Sequence, residues 1–250
     1  MGQTVSHTTA GQPVRPVAGG QEGRPVEKDV LRQAPLFSAL DDEAAEALGT
    51  SMTETRLQRG DVLFHEGDEG DQLYVVTEGK VKLGRTSSDG RENLLAILGP
   101  GQMFGELSLF DPGPRSATVT AVTDTVFSSL SHEDLLRWLH GRPDVAHGLL
   151  AQIAGRLRKA NDVNADLVFS DVPGRVAKAL LDLADRFGRT ADDGVHVHHD
   201  LTQEELAQLV GASRETVNKA LADFASRGWL RLEPRSVVIM DVDRLSRRAR

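Results

Sequence analysis

The sequence TQEELAQLVGASRETVNKALADFAS, which covers residues 202–226, carries the signals of two short helices joined by a tight turn. Thr202 and Glu205 have the spacing of a capping box, in which each side chain bonds a backbone N–H at the start of a helix. Ser213 can cap a second helix, and Gly211 permits the tight turn between the two. The segment therefore predicts a helix-turn-helix.

The second predicted helix has an apolar inner face and a polar, exposed first turn. The apolar positions are Val217, Ala220, Leu221 and Phe224. At the exposed start of such a helix, an arginine can bond O6 and N7 of guanine together, and a glutamate can accept from N4 of cytosine. We therefore expect the motif to read duplex DNA through Thr202, Ser213, Arg214, Glu215, Asn218 and Lys219.

Two short strands are predicted directly after this helix pair. They cover residues 229–232 and 237–240, on either side of the turn 233–236, which makes the arrangement winged. The alternative is an ordinary helical hairpin within an enzyme. The short linker, the inward-facing Ala207 and the polar helix start together favour the DNA-binding interpretation.

Residues 53–129 contain short β-type runs separated by glycine turns. The runs are 62–64, 73–76, 80–83, 94–98, 118–122 and 126–127. Many short strands at regular spacing predict an antiparallel sandwich or barrel. Before them, residues 29–50 have apolar residues near helical spacing, whereas residues 1–28 lack any apolar period and predict a disordered tail.

A long helix is predicted to begin at Pro143, and its apolar residues form a narrow heptad seam. The seam consists of Ala146, Leu150, Ile153, Leu157, Ala160, Asn164 and Leu167. A helix that packs on the core of its own chain needs a wider apolar stripe, so the seam favours a homodimer over intrachain packing. Asp171 and Pro173 then restart a helix, which predicts a hinge at residues 169–171.

Residues 104–117 have the chemistry of an anion pocket. Gly105 allows close backbone approach, and a short helical turn starting there can hold an anion with its N–H groups. Arg115 offers a fork of donors to a phosphate, Ser116 adds a hydroxyl, and Glu106 suits a ribose hydroxyl nearby. The alternative is a surface ion pair between Glu106 and Arg115.

Composition and charge exclude several classes of protein. The absence of cysteine excludes disulfides, thiol catalysis, cysteine-ligated zinc and iron–sulfur clusters. The net charge is −8, but the acidic excess lies in residues 29–171, while residues 172–250 are nearly neutral and end in an arginine-rich segment. This asymmetry permits DNA binding. No apolar run has membrane-spanning length and no secretory signal is recognisable, so we expect a cytoplasmic protein with no membrane partner.

The segment from Gly211 to Val217 resembles the recognition segment of the cyclic-AMP receptor protein and fumarate-nitrate regulator family of bacterial regulators. Residues 104–117 resemble the phosphate-binding cassette of that family, and the likeness covers residues 30–250, nearest the actinobacterial cyclic-AMP receptor proteins. The resemblance implies an α+β fold with a jelly-roll (double-stranded β-helix) cyclic-nucleotide-binding domain, a dimerisation helix and a winged helix-turn-helix. We place these at residues 29–142, 143–170 and 171–250.

The resemblance also implies a homodimer that responds to cyclic AMP and binds inverted repeats of TGTGA and TCACA type, with RNA polymerase as a further partner and no required cofactor. The implied ligand-binding residues are Gly105, Glu106, Leu107, Ser108, Arg115, Ser116 and Asn161. The chain departs from the family pattern at Ala160, where a hydroxyl is usual, and at Gln203, Glu204 and Lys219 near the DNA.

Two rival interpretations remain at this point. One is a metal-dependent β-barrel enzyme of cupin type, for which His196, His198 and His199 are the tempting ligands. They lie beside the helix-turn-helix, far in sequence from the predicted barrel, so we predict neither a metal site nor catalysis. The other rival keeps the regulator but replaces cyclic AMP with haem, another nucleotide or no effector.

Overall fold

The computed structural model describes residues 42–110, 113–140 and 143–249. The predicted tail at residues 1–28 lies outside the described residues, as does most of the predicted helical lead-in. Its last part is helix α1 (Asp42–Ser51).

Eight strands form two antiparallel four-stranded sheets. They are β1 (Thr53–Leu57), β2 (Val62–Phe64), β3 (Gln72–Glu78), β4 (Val81–Thr86), β5 (Glu92–Leu98), β6 (Met103–Phe104), β7 (Thr118–Ala121) and β8 (Thr125–Ser131). One sheet has the order β1-β8-β3-β6 and the other the order β2-β7-β4-β5. Buried side chains from both sheets meet in one core, whose members include Val76, Val81, Leu98, Phe104, Val119 and Phe127. The β-rich fold predicted from the runs and turns is confirmed.

One short helix lies between the strands and a second follows the last of them, and the sequence patterns do not predict some of these elements. Helix α2 (Leu107–Phe110) follows β6, and helix α3 (His132–Leu139) follows β8, where Ser131 caps it by accepting from the N–H of Asp134. The sequence patterns do not identify β1, because it pairs only with β8 and is polar. They also miss β6, which is only two residues long, and α3.

The predicted long helix is α4 (Pro143–Phe169), and α5 (Val172–Phe187) follows it. Asp171 caps α5 by accepting from the N–H of Gly174 at 2.9 Å, as the sequence predicts. Two ion pairs, Lys159–Asp182 at 2.8 Å and Lys178–Asp166 at 2.5 Å, join the helices. Because later residues of α4 pair with earlier residues of α5, the two helices fold back on each other about the break.

The C-terminal region is a winged helix-turn-helix, as predicted. Its elements are β9 (Gly188–Ala191), β10 (Gly194–Val197), α6 (Gln203–Val210), α7 (Arg214–Ser226), β11 (Leu230–Glu233), β12 (Ser236–Ile239) and α8 (Val242–Arg248). The strands form one antiparallel sheet in the order β11-β12-β10-β9. Strand β9 is polar apart from one alanine, and the apolar patterns do not predict it.

The β4–β5 hairpin packs directly on the winged helix. Leu94 and Ile97 of β5 are 4% and 1% exposed and share one buried cluster with the apolar residues of α5, α6 and α7. Lys82 pairs with Glu205 at 2.5 Å, and Arg186 donates to the carbonyl of Ile97 at 3.1 Å. The two β-rich parts of the chain therefore share a core in addition to the covalent link through α4. Within the described residues, no helix combines the length and apolarity needed to cross a membrane.

Candidate nucleotide pocket and DNA-reading surface

The backbone of Gly105 is shaped for the close contacts of the predicted cassette. Its φ of 83° lies in the left-handed region, and a Cβ there would approach Nη1 of Arg115 and the carbonyl oxygen of Gln72 to 2.8 Å. Any side chain at this position would therefore displace the Arg115 guanidinium or the backbone of β3. Glycine is required here by both conformation and space.

Arg115 is a charged side chain enclosed by the protein. It is 5% exposed, and its Nη1 donates to the carbonyl oxygens of Gln72 and Gly105, both at 3.0 Å. Its Nε has no hydrogen-bond partner among the described residues. Burial lowers the pKa of Arg115, and the nearby Tyr74, Asp71 and Glu106 act in the opposite direction. The guanidinium is thus held in place with unused hydrogen-bonding capacity.

The structure brings Glu106 to the same site, and the side chain is 2% exposed. Its charge is close enough to raise the pKa of Arg115, so the carboxylate and the guanidinium share one environment. This burial argues against the alternative of a surface ion pair.

The other cassette positions are more open. Ser108 is half-buried and lines a hollow of about 530 Å³ together with Gly70, Asp71, Pro114 and His132. Ser116 and Leu107 are exposed, Leu107 at 51%. Gly70 of this hollow packs against the Arg115 guanidinium, whereas Arg115 and Glu106 themselves are not among the residues that line it.

Asn161, the remaining predicted ligand residue, is not brought to this hollow. It lies on the exposed surface of α4, next to the equally exposed Ala160, and it is absent from the residues that line the hollow.

Much of the predicted dimer seam on α4 is exposed in the single chain. Leu150, Leu157 and Leu167 are 65%, 63% and 49% exposed, and Ala160 and Asn164 are also exposed. Ile153 is half-buried. Large apolar side chains in a row along one helix rarely face water in a stable protein, so this face of α4 is an unusual exposed apolar stripe.

The helix-turn-helix is built by the predicted caps. Thr202 accepts from the N–H of Glu205 while Glu205 accepts from the N–H of Thr202, which completes the capping box. Gly211 has a φ of 64°, in the left-handed region, and forms the turn. Ser213 caps α7 by accepting from the N–H of Thr216 at 3.2 Å.

The predicted base-reading residues project from α7. Arg214, Glu215 and Lys219 are exposed, and Lys219 pairs with Glu215 at 2.7 Å across one turn. Asn218 is half-buried, and its Oδ1 has no partner among the described residues. In the free protein, therefore, two of the candidate DNA contacts neutralise each other.

Glu205 has a second role that its sequence position does not reveal. Burial raises its pKa, but the hydrogen bonds from Lys82 and Thr202 outweigh burial and hold the pKa below its usual value. The carboxylate is thus ionised while it both caps α6 and binds the β4–β5 hairpin.

Arg175 is a residue that the sequence patterns miss. Its Nε donates to the carbonyl of Val210 at 2.9 Å, and its Nη1 donates to the carbonyl of Ser170 at 2.8 Å. The side chain therefore ties the break between α4 and α5 to the turn of the helix-turn-helix. An arginine in the first turn of a helix carries no sequence signal for such long-range contacts.

The histidines beside the helix-turn-helix do not form a metal site. His196 pairs with Asp193 at 2.6 Å, whereas His199 is 5% exposed and accepts at Nδ1 from the N–H of Leu201 at 3.1 Å. The described residues contain no group of three or more histidine, cysteine, aspartate or glutamate side chains that could hold a metal ion.

Comparison with known proteins identifies both parts of the chain. A cyclic nucleotide-binding domain matches residues 54–141, and a Crp-like helix-turn-helix domain matches residues 174–248. A CRP-like cAMP-activated global transcriptional regulator of Mycobacterium tuberculosis (strain ATCC 25618 / H37Rv) is 54% identical over 222 residues, covering 89% of this chain and 99% of the relative.

Two further relatives extend the similarity. The Cyclic AMP receptor protein of Thermus thermophilus is 42% identical, covering 84% of this chain and 94% of the relative. The solved structure of the c-di-GMP responsive global regulator CLP of Xanthomonas campestris has a TM-score of 0.69 and 26% identity, covering 80% of this chain and 99% of that chain. The chain therefore belongs to the cyclic-AMP receptor protein family of transcription regulators and is not an enzyme.

Proposed function

We propose that the chain is a homodimeric transcription regulator whose DNA binding is controlled by cyclic AMP. The observation that carries this proposal is the buried Arg115, whose Nε is unpartnered beside the buried Glu106. Burying a charge is unfavourable unless a partner compensates it, so the site suits an anion that bears a hydroxyl next to its phosphate. The relatives named for cyclic AMP support that choice of anion.

In the proposed complex, Arg115 binds the phosphate and Glu106 accepts from the ribose 2′-hydroxyl. Backbone N–H groups of the cassette and the hydroxyl of Ser116 complete the phosphate contacts. Asn161 of α4 reaches the base when two chains pair. The proposed ligand-binding set is Gly105, Glu106, Leu107, Ser108, Arg115, Ser116 and Asn161.

Dimerisation is proposed through the seam of α4. The exposed leucines at positions 150, 157 and 167 support this, because pairing would remove their apolar area from water. Ile153, Ala160 and Asn164 complete the proposed contacts. The proposed division of the chain is a sensor at residues 29–142, the pairing helix at 143–170 and the DNA-binding part at 171–250.

DNA recognition is proposed through an inverted repeat of TGTGA and TCACA type, read by two copies of α7 about 34 Å apart. Arg214 and Glu215 read bases, and Thr202, Ser213, Asn218 and Lys219 complete the contacts. RNA polymerase is proposed as the partner on the promoter. Without DNA, Glu215 and Lys219 form an exposed ion pair with each other.

The alternative is that a nucleotide other than cyclic AMP is the effector. Ala160 lacks the hydroxyl that the family usually carries, and the structurally similar CLP is named as responsive to c-di-GMP. Calorimetric titration of the purified protein with cyclic AMP, cyclic GMP and c-di-GMP separates these possibilities. Preferential binding of cyclic AMP supports the proposal, and preference for another nucleotide, or no binding of any, contradicts it.

A further inference from the structure

The Arg115 guanidinium packs against the aromatic rings of Phe64 and Tyr74. Its Cζ is 4.3 Å from the ring centroid of Phe64 and 5.7 Å from that of Tyr74. Separations of this size allow a cation–π attraction, which is stronger where water is excluded. Phe64 is therefore the nearest aromatic contact of a cation that is 5% exposed.

Gly70 packs on a face of the same guanidinium. A Cβ at Gly70 would lie 2.0, 2.2 and 2.5 Å from Nε, Cζ and Nη2 of Arg115. An atom in the guanidinium plane beyond the Nε–Nη2 edge would be farther from Cζ than from either nitrogen. The Cβ position is instead closer to Cζ than to Nη2, so it lies above the plane. Gly70 thus restricts the tilt of the plane without occupying the donor edge.

The two edges of the guanidinium have different partners. Nη1 is bound by the carbonyl oxygens of Gln72 and Gly105, which fixes one corner of the fork. Nε has no hydrogen-bond partner, and it shares with Nη2 the edge that can bind a phosphate with two parallel bonds. A rotation of the plane about its bound corner would turn this edge away from the ligand.

We propose that Phe64 is a positioning residue for phosphate recognition, because its ring fixes the guanidinium plane so that the Nε–Nη2 edge faces the phosphate. The inference rests on the proposed binding of a cyclic nucleotide. Phe64 touches the arginine and acts on the ligand through it. Its ring is itself supported by Tyr74 and Phe104, at centroid distances of 5.9 and 6.1 Å.

The chain offers a matched control within the same aromatic cluster. Phe127 packs against Tyr74 and Phe104 at 6.3 and 5.7 Å and is fully buried, and its ring has no described cation–π contact with Arg115. Replacement of Phe127 by leucine removes a ring from this core without touching the guanidinium. A general loss of packing should therefore affect the Phe127→Leu protein at least as strongly as the Phe64→Leu protein.

The test is calorimetric titration of the full-length protein and its variants with cyclic AMP. Phe64→Leu should weaken binding about three- to tenfold, because the leucine stays apolar but loses the π-face. Phe64→Tyr, which keeps the ring face, should restore affinity to near that of the wild type, and Phe127→Leu should leave it nearly unchanged. Equal losses in Phe64→Leu and Phe127→Leu, or an unchanged affinity in Phe64→Leu, would overturn the inference.

A second measurement separates this inference from the proposed function. In isotope-labelled full-length protein without ligand, the Nε–H resonance of Arg115 should shift in Phe64→Leu, because the ring current of Phe64 is lost. It should move little in Phe127→Leu. If wild-type protein binds no cyclic nucleotide, the proposed function fails, and this resonance still shows whether the Phe64 ring lies against the guanidinium, as the positioning role requires. A resonance that does not respond to Phe64→Leu overturns the positioning role.

Discussion

Arg115 and Arg214 are both proposed to bind anionic ligands, yet they differ in burial and in how firmly the surrounding protein holds them. Arg115 is 5% exposed and anchored by two carbonyl oxygens, whereas Arg214 projects into solvent from the first turn of α7. A small nucleotide can be enclosed, so its donors can be fixed before it arrives. Duplex DNA cannot be enclosed, so the side chains that read it stay exposed and are ordered on binding.

The largest expected effect comes from removing the anchored cation. Arg115→Ala should weaken cyclic AMP binding by more than about 100-fold, because truncation of one member of a buried charge contact typically costs about 3–5 kcal/mol. Glu106→Gln should cost less, since it keeps an acceptor for the ribose hydroxyl. Calorimetric titration checks both changes.

The matched control for Arg115→Ala is Arg91→Ala. Arg91 is an exposed arginine in the turn of the β4–β5 hairpin, where it pairs with Asp89. The nucleotide affinity of Arg91→Ala should equal that of the wild type. If Arg115→Ala also binds cyclic AMP normally, the cassette is not the nucleotide site, and the contrast between an enclosed and an exposed anion site is wrong.

The pairing helix connects the two regions, and Leu157→Asp should disrupt it. The change places two carboxylates across a seam that is buried in the proposed dimer, where they cannot be hydrated. Light scattering should report a monomer for this variant and a dimer for Leu136→Asp, which changes a leucine of similar exposure on α3 away from the seam. A dimeric Leu157→Asp protein would mean that α4 does not form the subunit contact.

The exposed arginine should have a smaller and sequence-dependent effect. Arg214→Ala should weaken binding to the inverted repeat by about 1–3 kcal/mol per half-site and relax the preference for guanine at one position. Lys219→Ala tests the alternative role on the same helix. If Lys219 contacts only phosphate, its loss should weaken all sequences alike and reduce the salt dependence of binding.

Binding of wild-type and variant proteins to single-base variants of the site, at constant salt, separates these roles. An Arg214→Ala protein that keeps the full guanine preference would remove Arg214 from base reading. A change of base preference in Lys219→Ala would instead assign base reading to Lys219.

The smallest expected effect is the pH dependence of stability that His199 causes. Burial lowers the pKa of His199 from 6.5 to about 4, so the folded state holds a neutral imidazole that accepts from the N–H of Leu201. Below about pH 6.5 the imidazole of His199 takes up a proton in the unfolded chain, whereas in the folded protein it stays neutral down to about pH 4. The free energy of unfolding therefore decreases as the pH falls from 6.5 toward 4.

His199→Asn keeps an acceptor for that N–H and removes the titration. Between pH 7 and pH 5.5 the wild type should lose on the order of 1 kcal/mol more unfolding free energy than the variant does. Urea unfolding of both proteins at the two pH values checks this difference. The same loss in both proteins would show that His199 is not the titrating group.

Local sequence signals predict the helix-turn-helix well, because neighbouring residues determine where its helices begin and end. The capping box at Thr202 and Glu205, the turn at Gly211 and the cap at Asp171 all involve residues within a few positions of each other. The β-rich fold is also predictable, because alternating apolar runs and glycine turns recur along the chain.

The contacts that position the nucleotide pocket and join it to the winged helix are not predictable in this way. Lys82 and Glu205 are 123 positions apart, and Phe64 approaches Arg115 only because β2 pairs with β7, so that the backbone of Arg115 bonds to Gly67 and Asp68. Leu94 and Ile97 look like ordinary strand residues, although their side chains complete the core of the winged helix. Such pairs depend on the tertiary fold and leave no local pattern.

The central claim is that a nucleotide enclosed by the sensor controls DNA binding by the exposed helix α7. The most direct measurement is fluorescence anisotropy of a labelled duplex that contains the TGTGA and TCACA inverted repeat, titrated with wild-type protein at fixed salt, with and without saturating cyclic AMP. The account predicts at least about tenfold tighter binding with cyclic AMP, which corresponds to 1.4 kcal/mol of coupling, and no such gain for Arg115→Ala. Equal affinity of the wild-type protein with and without cyclic AMP would contradict it.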